Sequence, residues 1–419
     1  MLKCRHKLEN AMLNFIWAGF FLIAFAVASC RNLWGGDTAV WTTLINATFA
    51  DAKSAFLISL NLTGILCLWL GLLKIAERSG MAALLARGLQ PLFRRIMPDV
   101  PAGSPAMSSM IMNMAANVLG LDNAATPMGL KAMEQLQAIN PHKDRASNAQ
   151  ILFMVINASA VTLIPISILM YRSELGSTNP SAVFVPILCA TSVSTLVGFL
   201  AVAAVQKLNI FNRVVLAYLL GAFGFIAGVA WYFGSLEPER RLELSAAWGN
   251  FILFAFVVGF ISAGLIKKLN VYETFIEGAK EGFEIAVRII PYLVAMLVAI
   301  GVFRASGALD YLVQGFERLF SLCGMNTDFV AALPTAFMKP LSGSGARAMM
   351  IETMRTYGAD SFPAFVSAVI QGSTETTFYV LAVYFGAVRI SKVGAALPCA
   401  LLADLAGIIA AIAVSYLFY

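Results

Sequence analysis

Long apolar runs alternate with short polar connectors along the whole chain. Runs of about twenty residues, the length that crosses a bilayer as a helix, cover 11–29, 54–76, 148–171, 182–205, 214–234, 246–268, 284–304, 363–387 and 395–418. They predict about nine crossings, all helical, because a helix satisfies its own backbone hydrogen bonds in lipid. Two shorter stretches, 81–96 and 308–323, combine an apolar helical face with Arg87, Arg94 and Arg95 or with Asp310, Glu317 and Arg318. These predict helices lying along the interface.

The pattern is also internally repeated. Ser79-Gly80, Leu85, Gly88 and Leu92-Phe93 recur at one constant offset as Ser306-Gly307, Leu312, Gly315 and Leu319-Phe320. Gly129, Lys131, Ala132 and Met133 recur as Gly345, Arg347, Ala348 and Met349, and Val155-Ile156, Ser159 and Thr162 recur as Val369-Ile370, Ser373 and Thr376. Three matches in one order make a duplication the better reading. The expected organisation is a first repeat over 1–206, a linker with an unpaired transmembrane helix over 207–245, and a second repeat over 246–419.

Charge sets the orientation. Lys3, Arg5 and Lys7 precede the first run, Arg78, Arg87, Arg94 and Arg95 follow the second, and Lys131, Lys143 and Arg145 precede the third. All belong to the cytoplasmic side if the region 104–139 enters and leaves by one face, as a re-entrant helical hairpin. Lys207 and Arg213 return the chain to that side, and the unpaired span then starts the second repeat from the opposite face. The second copy agrees through inside Lys267, Lys268, Arg389 and Lys392 and outside Glu237 and Glu239. The expected fold class is therefore an all-α polytopic membrane protein, with about nine transmembrane helices plus two re-entrant helical hairpins in inverted repeats and interfacial amphipathic helices. A bacterial cytoplasmic (inner) membrane location follows, with the N-terminus cytoplasmic and the C-terminus on the opposite side.

The hairpins carry the candidate chemistry. In the first, 104–119 reads as one half-helix and 120–125 as the tip, with Thr126-Pro127 as N-cap and first helical position of the returning half. Asn113 and Asn117 share a helix face, and Asp122 and Asn123 sit at the break. Such groups bind a polar solute or a cation, or simply bond between helices. In the second, 328–339 is the incoming half, Pro340 stops it, Ser342, Gly343, Ser344 and Gly345 form the tip, and 346–357 returns before Gly358. Lys339 and Arg347 bracket that tip and suit a carboxylate or phosphate, or else snorkel to the surface or neutralise nearby acids. No lysine followed by serine or threonine comes after the glycines, so this is not a phosphate-binding P-loop.

Within the eighth run, Ser373, Thr374 and Thr376 surround Glu375, whose carboxylate is costly at that depth unless paired or wet. It carries a coupling proton, binds a coupling cation, or pairs with Lys339 or Arg347. Asn157 and Ser159 supply the neutral version in the first repeat, and Asp404, a second acid deep in a span, either pairs structurally or shares the ion-coupling role with Glu375.

Composition narrows the classes. Of 419 residues, 59% are hydrophobic and 12% charged, and the mean hydropathy is +0.79. The net charge of +6 lies in connectors between spans, so topology accounts for it and nucleic acid is not an expected partner. Cys4, Cys30, Cys67, Cys189, Cys323 and Cys399 lack metal-ligand spacing, and with only His6 and His142 no metal site and no cofactor is expected. Val27-Ala28-Ser29-Cys30 resembles a lipoprotein cleavage box, but the run before it is long enough to be retained as a first helix. Neither a His-Glu-x-x-His motif nor a nucleophile elbow is present, so an enzyme is not expected.

Three stretches resemble a known family. The segment carrying Asn113, Asn117, Asp122, Asn123, Thr126, Pro127 and Lys131 looks like the signature of spore maturation protein A. The segments carrying Pro334, Lys339, Pro340 and Arg347, and Gln371, Glu375 and Gly386, look like that of spore maturation protein B. The chain is similar to a fusion of the two, within the nucleoside recognition or gate domain superfamily. That superfamily also contains membrane parts of concentrative nucleoside and ferrous-iron transporters. The resemblance implies a transport-related role.

Taken together, these features predict a secondary transporter of a small polar or anionic solute, coupled to a proton or sodium ion, with alternating access around a midplane site between the hairpin tips. The expected partners are that solute and the lipid bilayer, and homo-oligomerisation stays open. A non-transporting membrane assembly or morphogenesis factor is the alternative, although its polar residues would more naturally lie on loops.

Overall fold

A computed structural model of the 419-residue chain describes every residue except Met1, Ala102 and Leu121, and the side chains of all but 2–13, 122–124 and 238–239. His6, Cys4, Asp122, Asn123 and Glu239 therefore lie outside the described side chains. The first helices are α1 (Leu2–Gly35), α2 (Ala39–Arg78), α3 (Met81–Ile96), α4 (Pro105–Val118), α5 (Asp122–Ile139), α6 (Asn148–Ala158), α7 (Ile166–Glu174) and α8 (Phe184–Gln206). After α9 (Arg213–Gly234) come α10 (Pro238–Ile266), α11 (Val271–Ala305), α12 (Ala308–Leu322), α13 (Leu333–Leu341), α14 (Gly343–Tyr357), α15 (Phe362–Ser373), α16 (Thr377–Ala387) and α17 (Ala396–Phe418). No strand occurs among the described residues. The protein is an all-α polytopic membrane protein.

Among the described residues, seven helices are long and apolar enough to cross a membrane: α1 from Asn14, α2, α8, α9, α10, α11 and α17. Two of the expected continuous spans are broken instead. The run over 148–171 divides into α6 and α7 around Ser159 to Pro165, where proline disfavours helical backbone in the residue before it. The run over 363–387 divides into α15 and α16 at Thr374 and Thr376, both extended. The β-branched threonines there are stiff at χ1 and favour extended over helical backbone.

The long helices α2 and α11 lie side by side in opposite directions. Arg78 pairs with Glu277 at 2.7 Å and Lys74 with Glu281 at 2.9 Å, while Asp51, far back along α2, lies against Gly301. Small residues let the backbones touch: a Cβ at Gly278 would stand 2.4 Å from Leu70 O, and one at Gly282 2.8 Å from Cys67 Cα.

The broken helices cross antiparallel too. Beyond the end of α16, Ser391 and Lys392 donate backbone N–H groups to Asp144 O, ahead of α6, at 3.2 and 3.0 Å. At the opposite end, Arg172 of α7 donates to Ala359 O at 2.9 Å and to Asp360 Oδ1 at 3.0 Å, ahead of α15. The two breaks meet between these ends, where Glu375 N donates to Ala158 O at 2.8 Å.

Candidate functional site

Four interruptions converge on one place. Leu163 N in the first break donates to Val118 O at the end of α4 at 2.8 Å. Gly120, beyond it, takes φ 72°, a left-handed conformation that glycine adopts without strain. In the second half, a Cβ on Gly343 would stand 2.8 Å from Thr376 Oγ1, so the start of α14 touches the start of α16. A cavity of about 330 Å³ lies among these segments, lined by Gly120, Thr162 and Pro165 from the first half and by Lys339, Gly343, Arg347, Gln371, Thr374, Glu375 and Thr376 from the second. It extends between α2 and α11 to Lys74, Glu77 and Glu281.

Local sequence builds the second tip differently from the simplest reading. Pro340 does not stop the incoming helix; it lies inside α13, which runs to Leu341. The break is a single residue, Ser342, at φ −153° and ψ 116°, whose hydroxyl accepts from Gly345 N at 3.1 Å and caps α14. Serine is favoured here because its oxygen satisfies one of the free N–H groups of the first turn. Ser344 touches that hydroxyl at 3.2 Å. Gly345 is helical and packs against the terminal methyl of Met338 from the incoming half.

The first tip also departs from expectation. Because α5 starts at Asp122, Thr126 and Pro127 lie inside the helix instead of capping it. The proline forfeits only a bond to a first-turn carbonyl, which limits the disruption.

Lys339 is buried, at 4% exposure. The Arg347 guanidinium sits 5.9 Å from the Tyr171 ring centre, with its Nε buried and unpartnered. Glu375 is exposed where it meets the cavity. None of the three forms an ion pair among the described residues. Lys339 is therefore a buried cation with no carboxylate in ion-pair contact, which is costly, whereas Arg347 is half-buried. The N-terminal ends of α7, α14 and α16 also line the cavity, and free N–H groups with a positive dipole end favour an anion there. Gln371 adds a buried Oε1 without a partner.

Other predicted residues stand elsewhere. Asn113 donates to Ala125 O at 2.8 Å and to Tyr384 Oη at 3.3 Å, while Asn117 donates to Asn157 Oδ1 at 2.8 Å. Tyr384 Oη donates to the same oxygen at 3.2 Å, and Asn157 donates to Phe153 O at 2.8 Å. This network ties α4, α5 and α6 to α16 beside the cavity rather than along its wall. Ser159 and Ser373 are buried and donate to Val155 O at 2.9 Å and Ile370 O at 2.8 Å. Asp404 is buried behind the second break. Tyr171, Lys74, Glu281 and Tyr384 had no distinguishing signal, because aromatics and charges at span ends ordinarily mark an interface.

The family model for nucleoside recognition, Gate, matches residues 59–178 and 286–391, more than half of the chain. The chain belongs to the Gate nucleoside-recognition family. Both matched stretches run from a long helix to just beyond a broken one, so this Gate protein builds its cavity from the two together. It is 50% identical to spore maturation protein B of Bacillus subtilis (strain 168) over 163 residues, 39% of this chain and 90% of that one. To spore maturation protein A of the same organism it is 37% identical over 183 residues, 44% of this chain and 90% of that one. These shares are consistent with a fused A and B type within the Gate family.

Proposed function

We propose that this protein is a secondary transporter of a small anionic solute bearing a carboxylate or phosphate, held between the tips of two re-entrant hairpins, α4–α5 and α13–α14. The observation that carries this reading is the pair Lys339 and Arg347 facing one cavity, unpaired, among three helix N-terminal ends. At the hairpin end of the cavity they exceed Glu375 by one positive charge, which suits an anion there, while Lys74, Glu77 and Glu281 leave one net negative charge at the far end. Glu375 is the coupling group and responds to a proton or cation as the hairpins and broken helices move. The face bearing Arg78, Arg87, Arg94 and Arg95 is cytoplasmic, so the Lys74–Glu281 end of the cavity is its inward mouth in an inner membrane. No bond-making chemistry is assigned to the site.

The names of the relatives alone would suit a non-transporting assembly role, but they leave a cavity with unpaired cations without a purpose. A thermal-stabilisation screen of the purified protein across carboxylates, phosphates and nucleosides separates the two. An anionic compound should raise the unfolding temperature, and Arg347→Gln and Lys339→Gln should each remove that rise while remaining folded. Proteoliposome uptake of the same compound should lose its ion coupling in Glu375→Gln. Stabilisation unchanged in both cation variants would sink the assignment.

A further inference from the structure

Behind the cavity wall, α17 brings a carboxylate against the second break. Asp404 is 1% exposed, and Thr374 and Thr377 are 4% and 0% exposed. The approach is close: a Cβ on Gly407, one turn beyond Asp404, would stand 2.7 Å from Thr374 Cγ2 and 3.0 Å from Ser194 Cβ. Both threonine hydroxyls lie within reach of the carboxylate. Yet Asp404 Oδ1 and Oδ2, Thr374 Oγ1 and Thr377 Oγ1 are all buried without a completed hydrogen bond. No side chain forms an ion pair with Asp404 among the described residues. Lys339 attracts this carboxylate only from beyond ion-pair distance, so four converging oxygens with one negative charge have no cation in direct contact, which is costly in a dry interior.

We propose that Asp404, Thr374 and Thr377 hold a sodium-sized monovalent cation. Carboxylate and hydroxyl oxygens are hard ligands and favour hard cations over the softer transition metals. One carboxylate, with Lys339 and Glu375 nearby and of opposite sign, supplies too little charge for a divalent ion. Thr374 belongs to both sites, because it also lines the cavity. A cation on its hydroxyl therefore fixes the extended backbone from which α16 and Glu375 meet the solute. That last link rests on the transport reading; the cation site does not.

The test uses the full-length protein in detergent, without added solute, at constant chloride and ionic strength. Sodium replacing choline should raise the unfolding temperature saturably, since a ligand that binds only the folded state stabilises it by mass action. Radioactive sodium should bind with the same midpoint. Asp404→Asn should abolish both signals, and Thr377→Val, which keeps the side-chain shape, should weaken the apparent sodium affinity by about tenfold. If Asp404→Asn does not fold, Thr377→Val with the binding assay decides. Arg347→Gln should keep the sodium response while losing any anion response, so sodium stabilisation without anion binding would sink the transport reading and leave this one intact. Equal shifts from sodium, lithium, potassium and choline, or a sodium response unchanged in Thr377→Val, would overturn the proposal.

Discussion

Gly301 of α11 shows how tightly single positions are fixed. A Cβ there would stand 1.7 Å from Asp51 Oδ2, and Asp51 is a buried partner of Arg355 at 2.7 Å. Gly301→Ala must push that carboxylate away from its cation, leaving a buried charge poorly compensated. The expected cost is about 3 kcal/mol, the scale for breaking a buried ion pair, read as a lowered midpoint in denaturant or thermal unfolding. An unchanged midpoint would mean that α2 and α11 separate easily. Sequence offers no hint of this pair, because Asp51 and Gly301 belong to different helices and only packing brings them into contact. Lys339, Arg347 and Glu375 were legible as residues, since a charge inside an apolar run is conspicuous by its cost. Their unpaired state was not, because it depends on which neighbours the fold supplies.

At the scale of elements, the two broken helices are held at their ends by unequal ties. Lys392 and Asp144 pair at 2.9 Å with 70% and 63% of their side chains exposed. Arg172, buried and bonded to Ala359 O, Ser177 and Asp360, forms the stronger tie. Burial raises the Asp360 carboxyl, but hydrogen bonds from Ser177 and Thr178, with Arg172, outweigh it and hold the group below its ordinary value. A depressed carboxylate stabilises the fold above its unfolded value, about 3.9, and loses that contribution as pH falls through the lower folded value. The stability gap between wild type and Asp360→Asn should therefore be steady above about pH 4 and shrink below it, measured by thermal unfolding across pH. A gap constant to the most acid point would remove the carboxylate's charge from the tie. Apolar length located both spans in the sequence. It could not show that they break, since a threonine-rich or proline-containing run remains apolar enough to read as one crossing.

For the whole molecule, the antiparallel pairing of α2 with α11 and of α6–α7 with α15–α16 supports an inverted architecture. The helical parts of α6 and α7 together reach roughly 30 Å, about the thickness of a hydrocarbon core. The Asp144 tie and the Asp360 tie should consequently lie on opposite membrane faces. With the native cysteines replaced by serine, His142→Cys and Asn179→Cys should react with an impermeant maleimide from opposite sides of sealed vesicles. Labelling of both from one side would refute the inverted arrangement. The sequence by itself determined that the chain lives in lipid, where the apolar runs lie and where polar residues interrupt them. Those are local properties, set by the transfer of each segment between water and bilayer. Only the tertiary structure decided that Asn113 spends its hydrogen bonds on Ala125 and Tyr384 and Asn117 on Asn157, while Lys339 and Arg347 line the cavity. Such contacts join residues hundreds of positions apart, and their energies depend on the packing of neighbours that no local pattern specifies.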